Sequence, residues 1–303
     1  MEIKSLKSGP VIWLTGAVHG DEIGGIFIIQ EIFKRLRKSP LLKGKIYAFP
    51  LMNPVGFENV TRGIAITEED LNRSFPGDKE GTLAERIAAK IFTNITESKP
   101  DIVLDIHNDW LNTIPWVEID PNPGPKNKRA YEKAKLYAFK IGLPIINELE
   151  DAAQALNLQR SLSGSLLLNN IPALTLEVGG ASTVSSIARE KDIQDGTKAI
   201  WDLLTFLGMV KPYKAEFNNQ IPDNYKNKIL RYSHQPDASK SGIIKYLVKP
   251  GQIVKKGQPV AKIYNVFGKL LETLTSQENS LILGHWDYSV SYPGAELISF
   301  AII

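Results

Sequence analysis

The first two thirds of this chain alternate short apolar runs with longer amphipathic segments, and this rhythm constrains the fold more than any other feature of the sequence. Short runs rich in β-branched and aromatic residues and flanked by Gly, Pro or Asn predict buried strands. The clearest runs are residues 11–15, 45–49, 102–106 and 173–178. Strands that alternate with helical segments predict an α/β fold in which helices sandwich a mostly parallel sheet.

Two segments between these strands have the apolar period of amphipathic helices, residues 21–38 and 82–96. Segment 21–38 has basic residues near its end, where they interact favourably with the negative end of the helix dipole. In the second, Thr82 followed by Glu85 predicts a capping box, in which each side chain accepts a hydrogen bond from the backbone of the other residue.

The character of the sequence changes after a predicted helix that ends near Leu207 and Gly208. Asn, Gln, Pro and Asp crowd into residues 218–227, and short predicted strands separated by turns follow. We therefore predict a larger α/β domain over residues 1–215, which contains the candidate site residues described below, and a smaller all-β domain over 216–303. Residues 242–263 resemble half of a biotinyl/lipoyl-type barrel but lack the Met-Lys-Met hairpin that such carriers modify, so we expect a structural role rather than a carrier function.

Composition limits the possible functions of this 303-residue chain. The net charge is +3 and the Lys and Arg residues are scattered, so nothing indicates a nucleic-acid partner. No apolar run has the length of a signal peptide or of a membrane span, so we expect a cytoplasmic protein with no membrane partner. The chain has no cysteine, which excludes disulfides and thiolate ligands, so any zinc must be held by histidine and carboxylate. The sequence leaves open whether the protein forms a homo-oligomer.

The strongest local signal is His19 and Glu22 in the segment Gly-Ala-Val-His-Gly-Asp-Glu, between a predicted strand and a predicted helix. This spacing lets both side chains reach one ion, and His107 at the end of another strand supplies a third ligand. Two His and one Glu leave a position open for water, as in hydrolytic zinc sites. Taken alone, His19 could also be a turn histidine that hydrogen-bonds to the backbone.

A hydrolytic zinc site also needs a base, and Glu177 lies at the end of an otherwise apolar strand. A carboxylate there is costly to bury without a partner, although it could instead cap a turn or pair with an Arg. Arg62, Asn72 and Arg73 lie in a polar segment between the two halves of the predicted metal site. An Arg can bind a carboxylate or stabilise an oxyanion, but Asn72 and Arg73 could also simply stabilise their loop.

Taken in order, His19-x-x-Glu22, Arg62, Asp70-Leu-Asn72-Arg73, Asp105-x-His107 and Glu177-Val-Gly resemble the motif series of the succinylglutamate desuccinylase/aspartoacylase family, relatives of the zinc carboxypeptidases. The motifs extend from residue 11 to 180, and the β-rich tail is also similar to the family's C-terminal domain.

The resemblance implies a three-layer α/β/α zinc-carboxypeptidase-like catalytic domain that binds one zinc ion through His19, Glu22 and His107. Arg62 would polarise the substrate carbonyl, and Asn72 with Arg73 would hold a substrate carboxylate. Glu177 would take a proton from the attacking water and pass it to the leaving amine. Asp70 and Asp105 could orient the ligand histidines, an expectation that rests on the chemistry of these residues rather than on the resemblance.

The sequence departs from the family pattern in one respect. Related enzymes use a tyrosine near the substrate, and residues 142–177 contain none. Tyr288 in the tail is one candidate, and Arg160, just before the Glu177 strand, is a candidate for another substrate contact. Each could equally be a surface or packing residue. His234 and His285 have no metal-ligand spacing to the other histidines, so we interpret them as structural or solvent-facing.

The sequence therefore predicts a zinc-dependent deacylase that hydrolyses the amide bond of a small N-acyl amino acid or a similar carboxylate-bearing amide. Two alternatives stay open, a metallocarboxypeptidase acting on peptide C-termini and a non-catalytic binding protein on the same fold.

Overall fold

A computed structural model of the chain describes residues 1–109, 112–147, 157–179, 186–219, 221–286 and 288–303, with residues 186–189 described by their backbone only. Gly180, to which the motif series extends, lies outside these ranges, as do residues 148–156 of the tyrosine-free segment 142–177.

The described helices are six α-helices, α1 Gly24–Lys38, α2 Pro54–Asn59, α3 Leu83–Glu97, α4 Lys128–Ile141, α5 Leu162–Leu168 and α6 Ser186–Phe206. Short 3-10 helices cover Leu71–Arg73 and Pro125–Asn127. None of the described helices combines the length and the apolar character that crossing a membrane requires.

The strands of the first two thirds are β1 Glu2–Lys4, β2 Val11–Gly16, β3 Lys45–Phe49, β4 Ile102–Asn108, β5 Asn112–Thr113, β6 Trp116–Glu118, β7 Ile145–Asn147 and β8 Ala173–Val178. The strands of the tail are β9 Ile229–Ser233, β10 Gly242–Tyr246, β11 Ile253–Val254, β12 Pro259–Tyr264, β13 Leu270–Thr275, β14 Ser280–His285, β15 Val290–Ser291 and β16 Ile298–Ile302.

Within the described residues, the main sheet has twelve strands in the order β1-β3-β2-β4-β8-β6-β7-β9-β16-β14-β11, with β5 paired to β14. Its centre is parallel from β3 through β2 and β4 to β8, and β6 then runs antiparallel to β8. The carboxyl ends of β2, β4 and β8 therefore meet at one edge, where parallel sheets place their ligand sites.

Helices cover both faces of this sheet. Side chains of α1, α4 and α6 form one apolar cluster with the sheet residues Leu104, Leu174 and Leu176. Side chains of α3 and α5 pack with Trp13 and Val103 from the opposite face. The strands at the centre are therefore buried on both sides, which explains their nearly continuous apolar sequences. The predicted α/β/α layering is confirmed.

The boundaries differ from the sequence expectation at two places that matter for the site. Strand β4 continues past residue 106 because its pairing with β8 extends to His107 and Asn108. Helix α1 begins at Gly24 rather than at residue 21, and the Glu22 N–H donates to His19 O at 3.2 Å in the turn before it. The predicted capping box of α3 is confirmed, since Thr82 and Glu85 each bond to the other's backbone.

The tail contributes to two sheets. Strands β10, β12, β13 and β15 form a separate four-stranded antiparallel sheet, as expected for a smaller β-rich part of the chain. Strands β9, β11, β14 and β16 instead continue the main sheet, and β9 pairs directly with β7. Backbone hydrogen bonds thus join the tail to the first part of the chain, and the division at residues 215 and 216 remains a prediction.

Candidate active site

The site is built on alternate residues of three neighbouring strands. In β4 and β8 every second side chain belongs to the apolar cluster beneath the sheet, so the residues between them face the other side. His107 is the register partner of Glu177, and Asp105 is the partner of Thr175. On the other edge of β8, Glu118 of β6 also pairs with Thr175. The face covered by α3 and α5 is therefore polar at the carboxyl end of the parallel strands.

His19, Glu22 and His107 form a compact buried cluster at this end of the sheet. Glu22 Oε1 lies 2.6 Å from His19 Nδ1, and Glu22 Oε2 lies 3.0 Å from His107 Nδ1. All three side chains offer donor atoms within 4.8 Å of one another. The turn before α1 carries two of these residues and strand β4 carries the third, so the cluster depends on the pairing of β2 with β4.

An aspartate lies against the second ring nitrogen of each histidine. Asp105 Oδ2 is 2.9 Å from His107 Nε2, and Asp70 Oδ1 is 3.3 Å from His19 Nε2. Asp105 is 1% exposed and also accepts a hydrogen bond from Thr15 Oγ1 at 2.7 Å. Such contacts select the tautomer in which Nδ1 is the unprotonated ligand atom and hold the ring in place.

The charges of this cluster shift the pKa values of its members. Burial alone would raise the pKa of Glu22, but His19 and His107 outweigh it and hold that pKa well below its usual range. Burial would lower the pKa of His107, yet Asp105 and Glu22 raise it well above the ordinary value. Protons therefore compete with a cation for the ring nitrogens of His107.

The donor set is chemically suited to zinc. Zinc binds imidazole nitrogen and carboxylate oxygen at about 2.0–2.2 Å, so the donor atoms of one ion stand roughly 3–3.5 Å apart. The Glu22 oxygens lie close to that separation from both Nδ1 atoms. The three ligands come from a rigid strand and a tight turn, and both rings already face the carboxylate. The arrangement therefore needs little rearrangement to hold one ion.

Three predicted substrate-contact residues line the same cavity as the cluster, Arg62, Asn72 and Arg73. Arg62 donates from Nε and Nη2 to Asp70 Oδ2 at 3.2 and 3.1 Å, and its Nη1 lies 3.7 Å from Glu22 Oε1. Asn72 is buried, and its Oδ1 accepts from the Leu162 N–H at the start of α5. Burial alone would raise the pKa of Asp70. His19, Arg62 and Arg73 outweigh burial and hold that pKa well below its usual range.

The cavity itself has a volume of about 330 Å³ and is largely polar. Glu177 lines it together with all three residues of the metal-type cluster. Among the described residues, the cavity is lined by His19, Asp21, Glu22, Arg62, Asn72, Arg73, His107, Asn108, Asp109, Glu118, Leu158, Ser161, Ser163, Thr175 and Glu177. The fold thus brings together the ligand candidates, the candidate base and three candidate substrate contacts from distant parts of the chain.

The structure does not bring Arg160 and Tyr288 to this cavity. Arg160 is exposed, lines a separate surface depression with Phe75 and Gly77, and its Nη2 lies 3.8 Å from Glu85 Oε1. The Tyr288 side chain is 66% exposed, and its ring packs on Trp286 with centroids 5.2 Å apart.

Sequence reasoning missed several lining residues, above all Glu118. The signal was present in the segment Trp116-Val-Glu118-Ile-Asp120, because its polar residues alternate with apolar ones at the period of a strand. Its strand is only three residues long and lies outside the parallel centre of the sheet, so its neighbours could not be read from the sequence. Ser161 and Ser163 at the start of α5 were also missed, because the sequence does not show which strand ends a helix start packs against.

Comparisons with known proteins bear on the family to which the chain belongs. The family model for the succinylglutamate desuccinylase/aspartoacylase catalytic domain matches residues 8–207. The N-alpha-acetyl-L-2,4-diaminobutyric acid deacetylase of Halomonas elongata is 30% identical over 267 residues, which cover 85% of this chain and 71% of that protein.

Two solved structures have similar folds. The product-bound ectoine utilization protein EutE of Ruegeria pomeroyi matches with a TM-score of 0.75 at 20% identity, covering 100% of this chain and 88% of that one. A succinylglutamate desuccinylase from a Silicibacter species matches with a TM-score of 0.75 at 18% identity, covering 99% and 87% of the two chains. At these identities the likeness concerns the fold. Together with the match of the family model over most of the chain, it leads to one conclusion: this chain belongs to the succinylglutamate desuccinylase/aspartoacylase family.

Proposed function

We propose that the protein is a zinc-dependent deacylase, which hydrolyses the amide bond of a small N-acyl amino acid to a carboxylic acid and a free amine. The observation that carries this proposal is that Glu177 lines the same cavity as the His19, Glu22 and His107 cluster. A hydrolytic site needs a base next to an ion with an open coordination position, and these four side chains supply both. The deacetylase of Halomonas elongata, whose name gives an N-acetylated amino acid as its substrate, supports the reaction class.

Each side chain then has a defined task. When bound, zinc would supply Lewis acidity to the substrate carbonyl and to the attacking water. Glu177 accepts one proton from that water and later donates it to the leaving nitrogen, so that no proton is gained or lost overall. Arg62 presents N–H donors where negative charge develops on the carbonyl oxygen. Arg73, with Asn72 beside it, binds a substrate carboxylate.

The size of the cavity favours small amides over peptides. Ligand cavities usually have volumes of about 300–1,000 Å³, and this one is at the lower end of that range. An extended peptide would need a longer groove on the side of the scissile bond away from its C-terminus. We therefore place the carboxypeptidase alternative second.

The first test is the metal content of the purified protein, measured by elemental analysis with His107→Ala beside it. We expect about one zinc per chain and its loss in the variant. His234→Ala is the matched control, because His234 contacts Asp237 in the tail and lies outside the cluster. If neither the natural protein nor the control retains zinc after it is added back, the hydrolase proposal fails and the binding-protein alternative replaces it.

The second test is Glu177→Gln in the zinc-loaded protein. The amide is close in size to the carboxylate but cannot accept the proton, so we expect turnover of N-acyl amino acids to fall by about 100-fold or more while zinc is retained. Amine release measures the turnover of both proteins, and elemental analysis measures the zinc that each retains. Retained turnover would remove Glu177 from the mechanism.

A further inference from the structure

Helix α1 begins in very close contact with the central strands of the sheet. A Cβ atom on Gly25 would lie 2.9 Å from Ile106 O. A Cβ atom on Gly24 would lie 2.6 Å from Asn108 Nδ2 and 2.7 Å from Asn108 Oδ1. Both distances are too short for a real side chain, so this approach requires glycine. The turn that carries Glu22 therefore rests directly on the carboxyl end of β4.

The buried side chain of Asn108 fills this contact and links three segments. Its Oδ1 accepts a hydrogen bond from the Gly24 N–H at 2.8 Å, at the start of α1. Its Nδ2 donates to Val178 O and to Gly179 O, both at 3.0 Å, at the end of β8. Asn108 itself is the last residue of β4. One amide thus holds the beginning of α1 and the ends of β4 and β8 together.

The backbone of Asn108 contacts the metal-type cluster directly. Its N–H donates to Glu22 Oε2 at 3.0 Å, and the same oxygen lies 3.0 Å from His107 Nδ1. On the other side, the side chain of Asn108 bonds to Val178, which directly follows Glu177 in β8. Asn108 therefore lies between the ligand candidates and the proposed base and is bonded toward both.

The strand ladder alone does not fix this end of the sheet. The parallel pairing of β4 with β8 has its last register pair at Asn108 and Val178, and the ends of such elements open most easily. The amide of asparagine offers the acceptor and the two donors that its neighbours need. An apolar side chain would leave the Gly24 N–H and the two carbonyls without these hydrogen bonds, which is costly in a buried site.

We propose that Asn108 is a positioning residue, which holds the turn that carries Glu22 and the strand end that carries Glu177 in one fixed arrangement. The Asn108 amide then sets the distance between the proposed base and the ligand cluster. A displacement of about 1 Å between reacting groups can cost about 100-fold in rate. This inference rests on the proposed deacylase function and identifies what keeps its base and its ligands in register.

The first variant is Asn108→Ala, measured at saturating zinc on the N-acetyl amino acid that the natural protein hydrolyses fastest. It keeps the backbone N–H that bonds to Glu22 and removes the amide. We expect kcat to fall by about 10- to 100-fold while KM changes by less than about 3-fold, because Asn72 and Arg73 are unaltered. Zinc competition against a chromophoric chelator should show an affinity about 10-fold weaker, since the turn with Glu22 is held less firmly.

The second variant, Gly24→Ala, tests the same contact without removing any hydrogen-bonding group. The three atoms nearest to the added Cβ would all belong to the Asn108 side chain, so the methyl group must displace the amide. We expect the same losses of kcat and zinc affinity as in Asn108→Ala. In the double variant the methyl group enters space that the amide has left. Adding Gly24→Ala to Asn108→Ala should therefore lower kcat and zinc affinity by less than about 3-fold.

Trp201→Phe is the control for a loss of stability alone. Trp201 is buried, its Nε1 donates to Lys211 O at 3.0 Å, and it is not among the residues that line the cavity. We expect this substitution to lower the free energy of unfolding while kcat and zinc affinity stay within about 2-fold. Unchanged kcat and zinc affinity in Gly24→Ala, or losses that simply add in the double variant, would overturn the inference.

Zinc affinity separates this inference from the proposed function. If the natural protein binds zinc but hydrolyses no N-acyl amino acid, the deacylase proposal fails. Losses of zinc affinity in Asn108→Ala and Gly24→Ala that do not add in the double variant would still support the positioning role, and additive or absent losses would overturn it. If the natural protein is active and both single variants keep its kcat, the deacylase proposal stands and the positioning role is overturned.

Discussion

Replacement of Asp105 offers a graded test of how the histidine ligands are held. Asp105 is 1% exposed, and its carboxylate lies 2.9 Å from His107 Nε2 and 2.7 Å from Thr15 Oγ1. In Asp105→Asn the amide oxygen can still face His107. The amide nitrogen then faces the Thr15 hydroxyl, which can rotate to accept its hydrogen bond. The substitution therefore removes the negative charge while it preserves the contact.

The expected magnitude follows from the strengths of the two hydrogen bonds. A hydrogen bond to a charged acceptor contributes about 1.5–3 kcal/mol and one to a neutral acceptor about 0.5–1.5 kcal/mol. The difference of about 1–1.5 kcal/mol corresponds to a zinc affinity about 5- to 15-fold weaker. Asp105→Ala leaves the buried His107 N–H without its acceptor, so we expect a loss nearer 100-fold, at the upper end for residues that orient metal ligands.

The assay is zinc competition against a chromophoric chelator at pH 7. Thr15→Val is the matched control, since it removes the other hydrogen bond of Asp105 and leaves the contact with His107 intact. We expect it to change zinc affinity by less than about 3-fold while it lowers the free energy of unfolding by about 1 kcal/mol. Unchanged affinity in Asp105→Ala, or a larger loss in the Asn variant than in the Ala variant, would refute the reasoning.

Three further predictions concern other parts of the molecule. Arg73→Ala should raise KM for a carboxylate-bearing amide by about 10- to 100-fold with a smaller effect on kcat, and steady-state kinetics that show an unchanged KM would remove its binding role. Burial and the neighbouring Asp195 raise the pKa of Asp192 to about 7, so its ionisation destabilises the folded state as pH rises from about 4 to 7. Asp192→Asn should therefore raise the free energy of unfolding by about 1–2 kcal/mol at pH 8, and urea denaturation should show that gain disappearing near pH 4. Thr82→Ala should cost about 1 kcal/mol through loss of the α3 cap, and thermal unfolding with no shift would contradict this.

Much of the site could be predicted from the sequence because its residues lie at strand ends, where polar residues interrupt apolar runs. His107 and Glu177 were identified in this way, and the structure makes them register partners on adjacent strands. Arg160 and Tyr288 were proposed from position and residue type alone. Neither lines the cavity, because a short distance along the chain or the presence of a suitable side chain does not determine which way a loop directs it.

The sequence by itself determined the alternation of strands and helices, the ligand chemistry available to a chain without cysteine, and the family. These properties are local, since they depend on residue type and on spacing within a few residues. The tertiary structure decided that β6 lies beside β8, so that Glu118 joins the cavity, and that the tail strands continue the main sheet instead of forming only their own. A two-residue period shows which face of a strand is polar, but it does not show which strand lies next to it. That choice depends on backbone hydrogen bonds between segments far apart in the chain.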